Sequence, residues 1–306
     1  MNAPLALIGV AVLMQAGTSG FLSGRLDGAQ SLLFSTTAFA LATVVFTVVD
    51  RVRRGPGRAV LRAHGRLMVA ANVLTAVTFI GFYLSLVYVP AALAVSIETA
   101  IGPLVIAIAA GRAARVGDHL VGWVLLGCSG ALALRLSGDA AGAVPMGRLA
   151  TGVGLALLAG LGAAGLALLS KRLGRLAVPP VTVTANRFHL TYLAALVLLA
   201  LDPPAVADVR TRLPLLVLVG LIAVVVPLYL LQVGLQRADS LGAMTLITTM
   251  PGLTYLAQVA FGVPFDPWAL ALTVVITVIA VGYARRPRRA DPQPAAVVPV
   301  SQGPGR

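Results

Sequence analysis

One cysteine, one lysine and one glutamate are all that this chain of 306 residues contains of those three types. Cys128 stands alone inside an apolar run, so neither a disulfide framework nor a thiolate metal site can be built. The three histidines, His64, His119 and His189, are too far apart for ligand spacing, and no metal or cofactor is expected. Charge is scarce too, at 11% of residues against about 25% in a soluble protein. Apolar residues fill the space, at 58% with a mean hydropathy of +0.95. That is more apolar surface than a water-facing globule hides, and an all-α polytopic membrane protein is predicted.

A net charge of +13 raises the question of nucleic acid. The arginines sit between apolar runs, as topology signals do, so lipid bilayer and not nucleic acid is the expected partner. The preference for arginine over lysine is the usage of a GC-rich bacterial genome. Met1–Ala3 lacks a basic stretch and the first apolar run reaches about 20 residues, so a span is expected there and not a cleaved leader.

Ten segments approach spanning length, near 4–24, 29–49, 67–88, 91–111, 119–136, 148–170, 181–201, 213–235, 240–262 and 267–284. Pro90 reads as the turn between the third and fourth. Alternate connections differ in basic charge. One set holds Arg51, Arg53, Arg54, Arg58, Arg62 and Arg66, then Arg112 and Arg115, then Lys171, Arg172 and Arg175, then Arg237 and the tail. The other holds only Arg25, Arg135, Arg148, Arg210 and Arg212. The richer set faces the cytoplasm. Both termini are then inside, which requires an even number of spans. Trp123 and Trp268 fall near span ends, where indole rings favour the interface. The proline-rich tail, 286–306, reads as a disordered cytoplasmic segment.

A shift of 148 residues lays the chain on itself: Leu93 meets Leu241, and Pro103 meets Pro251. Five spans per half is an odd number, so the halves, 1–137 and 147–285, insert in opposite directions. Inverted repeats are a mark of secondary transporters, with the site at the repeat interface near the midplane. Pro103 and Pro251 are expected to interrupt their helices and free the carbonyls of Thr99 and Ile247.

Glu98 is the sole acid within a predicted span, roughly 10 Å below the outer face. A lone carboxylate at such depth costs roughly 2.5–3.5 kcal/mol, so it faces a cavity with a function or is held by an internal hydrogen bond. Arg187 lies roughly 10 Å inside the cytoplasmic edge of its span and either faces the cavity or snorkels to the headgroups. If both face inward, a zwitterion fits between them, amine to Glu98 and carboxylate to Arg187. His189 reads as a proton relay or as a packing histidine. Asn72, Phe79 and Tyr83 share one helical face, as do Tyr229, Gln232 and Gln236, and Thr245, Thr248, Gly252 and Tyr255. Tyr83 and Gln232 are assigned to a cavity, and the threonines to interhelical packing.

Two blocks carry a family likeness. VPAALAVSIETAIGPLVIAIAAGR (89–112) and VVVPLYLLQVGLQRADS (224–240) resemble the paired blocks of the EamA family of the drug/metabolite transporter superfamily, in its threonine/homoserine-exporter branch. Glu98 and Gly102-Pro103-Leu104 fall on motif positions; Gln15, Gly17 and Ser170–Gly174 match more loosely. Leu22 and Phe34–Ser35 stand where that branch has lysine and arginine, and the small run Gly160–Gly165 replaces aromatics. The resemblance implies ten helices and export of a small metabolite such as an amino acid by alternating access from the bacterial inner membrane, with protons as candidate coupling ion. Two rivals remain: efflux of hydrophobic cations or drugs, and a non-transporting scaffold. An enzyme is not expected, because no second acid or histidine pair accompanies Glu98.

Overall fold

The computed structural model describes residues 3–22, 28–53, 57–89, 91–138, 145–201 and 214–286. Pro90, Arg25, Arg210, Arg212 and the tail beyond residue 286 lie outside that set, as does the side chain of Leu22.

Among the described residues the chain is all helix. Apolar, Ala- and Leu-rich stretches satisfy every backbone group internally, the one way an open segment can cross lipid. In order these are α1 (Ala3–Leu22), α2 (Gly28–Val52), α3 (Gly57–Ser85), α4 (Ala91–Ala110), α5 (Val116–Ser137), α6 (Met146–Arg175), α7 (Pro180–Asn186) and α8 (His189–Leu201). Helical residues 214–220 then lead through a π turn, Leu221–Val225, into α9 (Val226–Arg237). The chain ends in α10 (Ser240–Ile247), α11 (Met250–Ala260) and α12 (Pro267–Ala284). Among the described residues eight helical stretches are long and apolar enough to cross a membrane: α1 to α6, α7 with α8, and α12.

Three features differ from the sequence expectation. The basic connection 51–66 is mostly helix: α3 starts at Gly57 and kinks at His64. The seventh span breaks at Arg187–Phe188, between α7 and α8. Pro103 does not interrupt α4, which runs from Ala91 to Ala110 unbroken. A proline deletes one hydrogen bond, and inside a membrane bundle neighbouring helices hold the rest in place. Pro251 does sit beside an interruption, in the first turn of α11 after the break at Thr248–Thr249.

Close approach is set by small residues, as expected where lipid gives helices no hydrophobic reason to associate. α3 packs along α6, α1 along α9 and α11, and α4 on both α5 and α6. At Gly102 an added Cβ would lie 2.3 Å from Met244 Cε, so α4 and α10 touch almost backbone to side chain.

α5 and α12 lie antiparallel and are clasped at both ends. At one end Arg135 Nε donates to Asp266 Oδ2 at 2.6 Å. Asp266 also caps α12, accepting from Trp268 N at 2.9 Å, while its own backbone is bracketed by the Tyr255 hydroxyl. At the other end Tyr283 Oη donates to Asp118 Oδ1. The Arg135 hydrogen bond holds the Asp266 carboxyl below the usual carboxylate range, despite a smaller opposing effect of desolvation. A depressed folded pKa adds stability above the unfolded value and loses it as pH falls through the folded one. The midpoint of thermal unfolding of wild type is therefore expected to drop more on acidification below the carboxylate range than that of Asp266→Asn. Parallel acid profiles for the two proteins would refute the pairing.

Candidate functional site

Two polar stations lie inside the bundle, at different depths. The upper one is Glu98. Its backbone carbonyl rests on α6 at Gly160, where an added Cβ would come within 2.6 Å of it. Among the described residues no side chain donates a hydrogen bond to the carboxylate, and the residue is half-buried. Tyr83 on α3 lies within electrostatic reach of the carboxylate, with its hydroxyl next to Ser35 of α2.

The lower station gathers around Arg187. At the break between α7 and α8 the side chain turns inward and is 1% exposed. It does not snorkel. The long arm is sealed in by protein, Nη1 donating to Gln232 Oε1 at 2.5 Å and the guanidinium lying 4.7 Å from the Phe188 ring centroid. Ser170 of α6 donates to the same Gln232 oxygen at 3.3 Å. Gln232, fully buried, thus joins three elements.

α4 and α6 run parallel, with Val89, just before α4, against Gly152 and the Glu98 backbone against Gly160. From Gly160 to Ser170 is about 15 Å along α6 at 1.5 Å per residue. The Glu98 side chain also leans toward the start of α4, away from Arg187. An α-amino acid, whose two charges are separated by one carbon, cannot touch both at once. The single bridging zwitterion expected from the sequence does not fit this geometry.

Aromatic rings cluster beside the lower station, around Phe188. Phe39 lies 4.6 Å from Phe79 and 5.5 Å from Phe188, and Tyr83 follows Phe79 by one helical turn. Phe46 stacks on Tyr229 at 5.5 Å. These rings come from α2, α3, α9 and the α7–α8 break. Phe79, Tyr83 and Tyr229 stand on helical faces already marked in the sequence, whereas Phe39, Phe46 and Phe188 carried no such signal.

The other sequence candidates scatter. Asn72 is spent on structure: it donates to Asn186 O at 2.5 Å and accepts from Leu190 N at 3.2 Å, closing backbone groups exposed by the break. His189 is exposed, 3.3 Å from the Tyr192 hydroxyl, and neither packs in the core nor faces either station. Gln15 is half-buried on α1. A cavity of about 190 Å³ lies nearby, lined by Gly17, Thr18, Phe21, Val219 and Ile222, away from Glu98. The α10–α11 threonines turn onto their own helix, Thr248 to Thr245 O and Thr249 to Leu246 O.

The predicted second span, 29–49, stops one residue short of Asp50, but α2 continues to Val52 and buries it. Its Oδ1 accepts from Thr182 Oγ1 at 2.6 Å. Glu98 is therefore not the only acid within a helix, although the Asp50 carboxylate has a hydrogen-bond donor in Thr182 at the end of α2. Among the described residues no cluster of three His, Cys, Asp or Glu side chains could hold a metal.

The model of the EamA-like transporter family matches residues 150–284. No curated protein matches the chain. Eight chains of solved structures do. One of them, described only as "Crystal structure of protein", is 20% identical, covers 92% of this chain and 99% of its own, and superposes with a TM-score of 0.70. That likeness is one of fold. The chain is a multi-pass membrane protein that carries an EamA-like transporter family domain over residues 150–284.

Proposed function

We propose that this protein is a bacterial inner-membrane secondary transporter that exports a small metabolite, such as an amino acid, by alternating access. In this reading ten spans form two inverted repeats, 1–137 and 147–285, with both termini cytoplasmic. The packing supports the repeat. Adding 148 carries Asp118 onto Asp266 and Arg135 onto Tyr283, so the two clasps exchange. It likewise carries the α3–α6 contact toward that of α9 with α1, and α4–α5 onto α10 and α11 with α12. Two halves with one packing plan can adopt mirror-related states, open to either side.

The observation that carries the transport role is Glu98: a carboxylate inside an apolar bundle, partly accessible and without a donor among the described residues. It recognises an amine or carries the coupling proton. Tyr83, Gln232, Arg187, Asn72, Gln15 and His189 were the other residues assigned to the path. Tyr83 and the Arg187–Gln232 pair retain that assignment.

The aromatic cluster Phe39, Phe79 and Phe188 favours a second reading, efflux of hydrophobic cations, since rings and one carboxylate suit a flat cation. Growth tests separate the two. Cells expressing the chain should tolerate toxic amino-acid analogues or dipeptide feeding better than vector controls. Tolerance to lipophilic cations instead would select the second reading, and tolerance to neither would refute both.

A further inference from the structure

The Arg187 guanidinium is enclosed, and among the described residues no carboxylate pairs with it. A buried cation without an anion is among the costliest groups a membrane protein can hold, and arginines kept at such depth face a partner or a pathway. Gln232 supplies one neutral oxygen. Because arginine has only donors, the atom facing it must be that oxygen, which fixes the amide and turns Nε2 away from it. Nε2 is buried and without an acceptor. Arg187 Nε is in the same condition. One cluster thus presents two buried donors, one of them on a guanidinium, and lacks an acceptor for either.

The missing partner is an acceptor with negative charge. A carboxylate suits it well: its two oxygens match the fork of a guanidinium edge, and an amide N–H takes a remaining lone pair. We propose that Arg187, Gln232 and Ser170 form a seat for the carboxylate of the transported molecule, separate from Glu98 and occupied at a different stage of passage. A substrate amine meets Glu98, whose backbone rests on α6 at Gly160, about 15 Å of helical rise from Ser170. The substrate class is then a small carboxylic acid or amino acid, which excludes simple hydrophobic cations. The inference rests on the transport reading for this class only.

The test uses the purified full chain in detergent, where no transport occurs. Gln232→Glu places a built-in carboxylate 2.5 Å from the guanidinium. The variant is expected to melt several degrees above wild type, because the missing anion is now supplied. Wild type is expected to be stabilised by at least one of L-leucine, L-phenylalanine or sodium benzoate. The twins that lack the carboxylate, the two methyl esters and benzamide, should leave it unmoved. In Gln232→Glu the acids should lose their effect. The proposal requires each result. A variant no more stable than wild type, or unable to fold, overturns it. So does the absence of any acid-dependent shift, or an equal shift with the twins or with sodium chloride. Normal export by Glu98→Gln would instead remove the role of Glu98 and leave these measurements standing.

Discussion

Cells producing Glu98→Gln are expected to export no more substrate than cells carrying an empty vector, while the variant reaches the membrane in normal amount. The amide keeps the shape and volume of the acid and removes only its charge. Its insertion is easier, since an ionised side chain at this depth costs roughly 2.5–3.5 kcal/mol. Packing against Gly160 involves the backbone of Glu98 and is untouched. What is lost is a charged partner for an amine or proton. Hydrogen bonds to charged groups contribute about 1.5–3 kcal/mol, so recognition should weaken about tenfold to more than a hundredfold. Efflux measured in cells loaded by dipeptide feeding reads the loss directly, and membrane blots control for expression. Undiminished efflux would end the role. A scaffold would behave differently again: Glu98→Leu would leave function intact and raise stability, because the buried charge served no purpose.

The second large effect is on the fold. Gly160→Ala should destabilise the protein by about 1–3 kcal/mol, the range for overfilling a packed interior. The new methyl would lie 2.1 Å from Ile101 Cγ2 and 2.6 Å from the Glu98 carbonyl oxygen. Ile101 is β-branched and stiff, and the carbonyl belongs to the α4 backbone, so neither gives way. Gly154, on the same helix, has nothing within 4 Å of its Cβ position. There Gly→Ala should stabilise by about 0.5–1 kcal/mol through helix propensity and a less flexible unfolded chain. Opposite signs from the same substitution at two sites on α6 are the outcome to look for, in thermal or denaturant unfolding in detergent. A neutral Gly160→Ala would mean that α4 and α6 do not meet there.

Glu98 and Arg187 mark how far a linear reading goes. Glu98 was legible as too costly to sit in lipid without reason, and Arg187 as a cation that faces a cavity or snorkels, because the insertion penalty depends only on the side chain and its depth. Their partners were not. Gln232 and Ser170 are ordinary polar residues in sequence, and their convergence on Arg187 depends on the break after Asn186, which has no glycine or proline to announce it. Asp50 fell outside the predicted span because a hydropathy run ends before a helix does: α2 continues until Val52, and Thr182 receives the acid from a helix far along the chain. Pro103 and Pro251 look alike in sequence, yet only the second stands beside an interruption, since surrounding helices decide whether one missing hydrogen bond becomes a break.

By itself the sequence determined that this is a helical membrane protein, roughly where its helices run, and that the Glu98 carboxylate lies within a span. Those follow from hydropathy and helical rise, which are local. Only the tertiary structure decided that the acid and the guanidinium stand apart, that the arginine is enclosed and not exposed, and that α5 and α12 are clasped at both ends. Contacts between distant helices are set by which small residues permit close approach, and no short window of sequence contains both sides of such a contact.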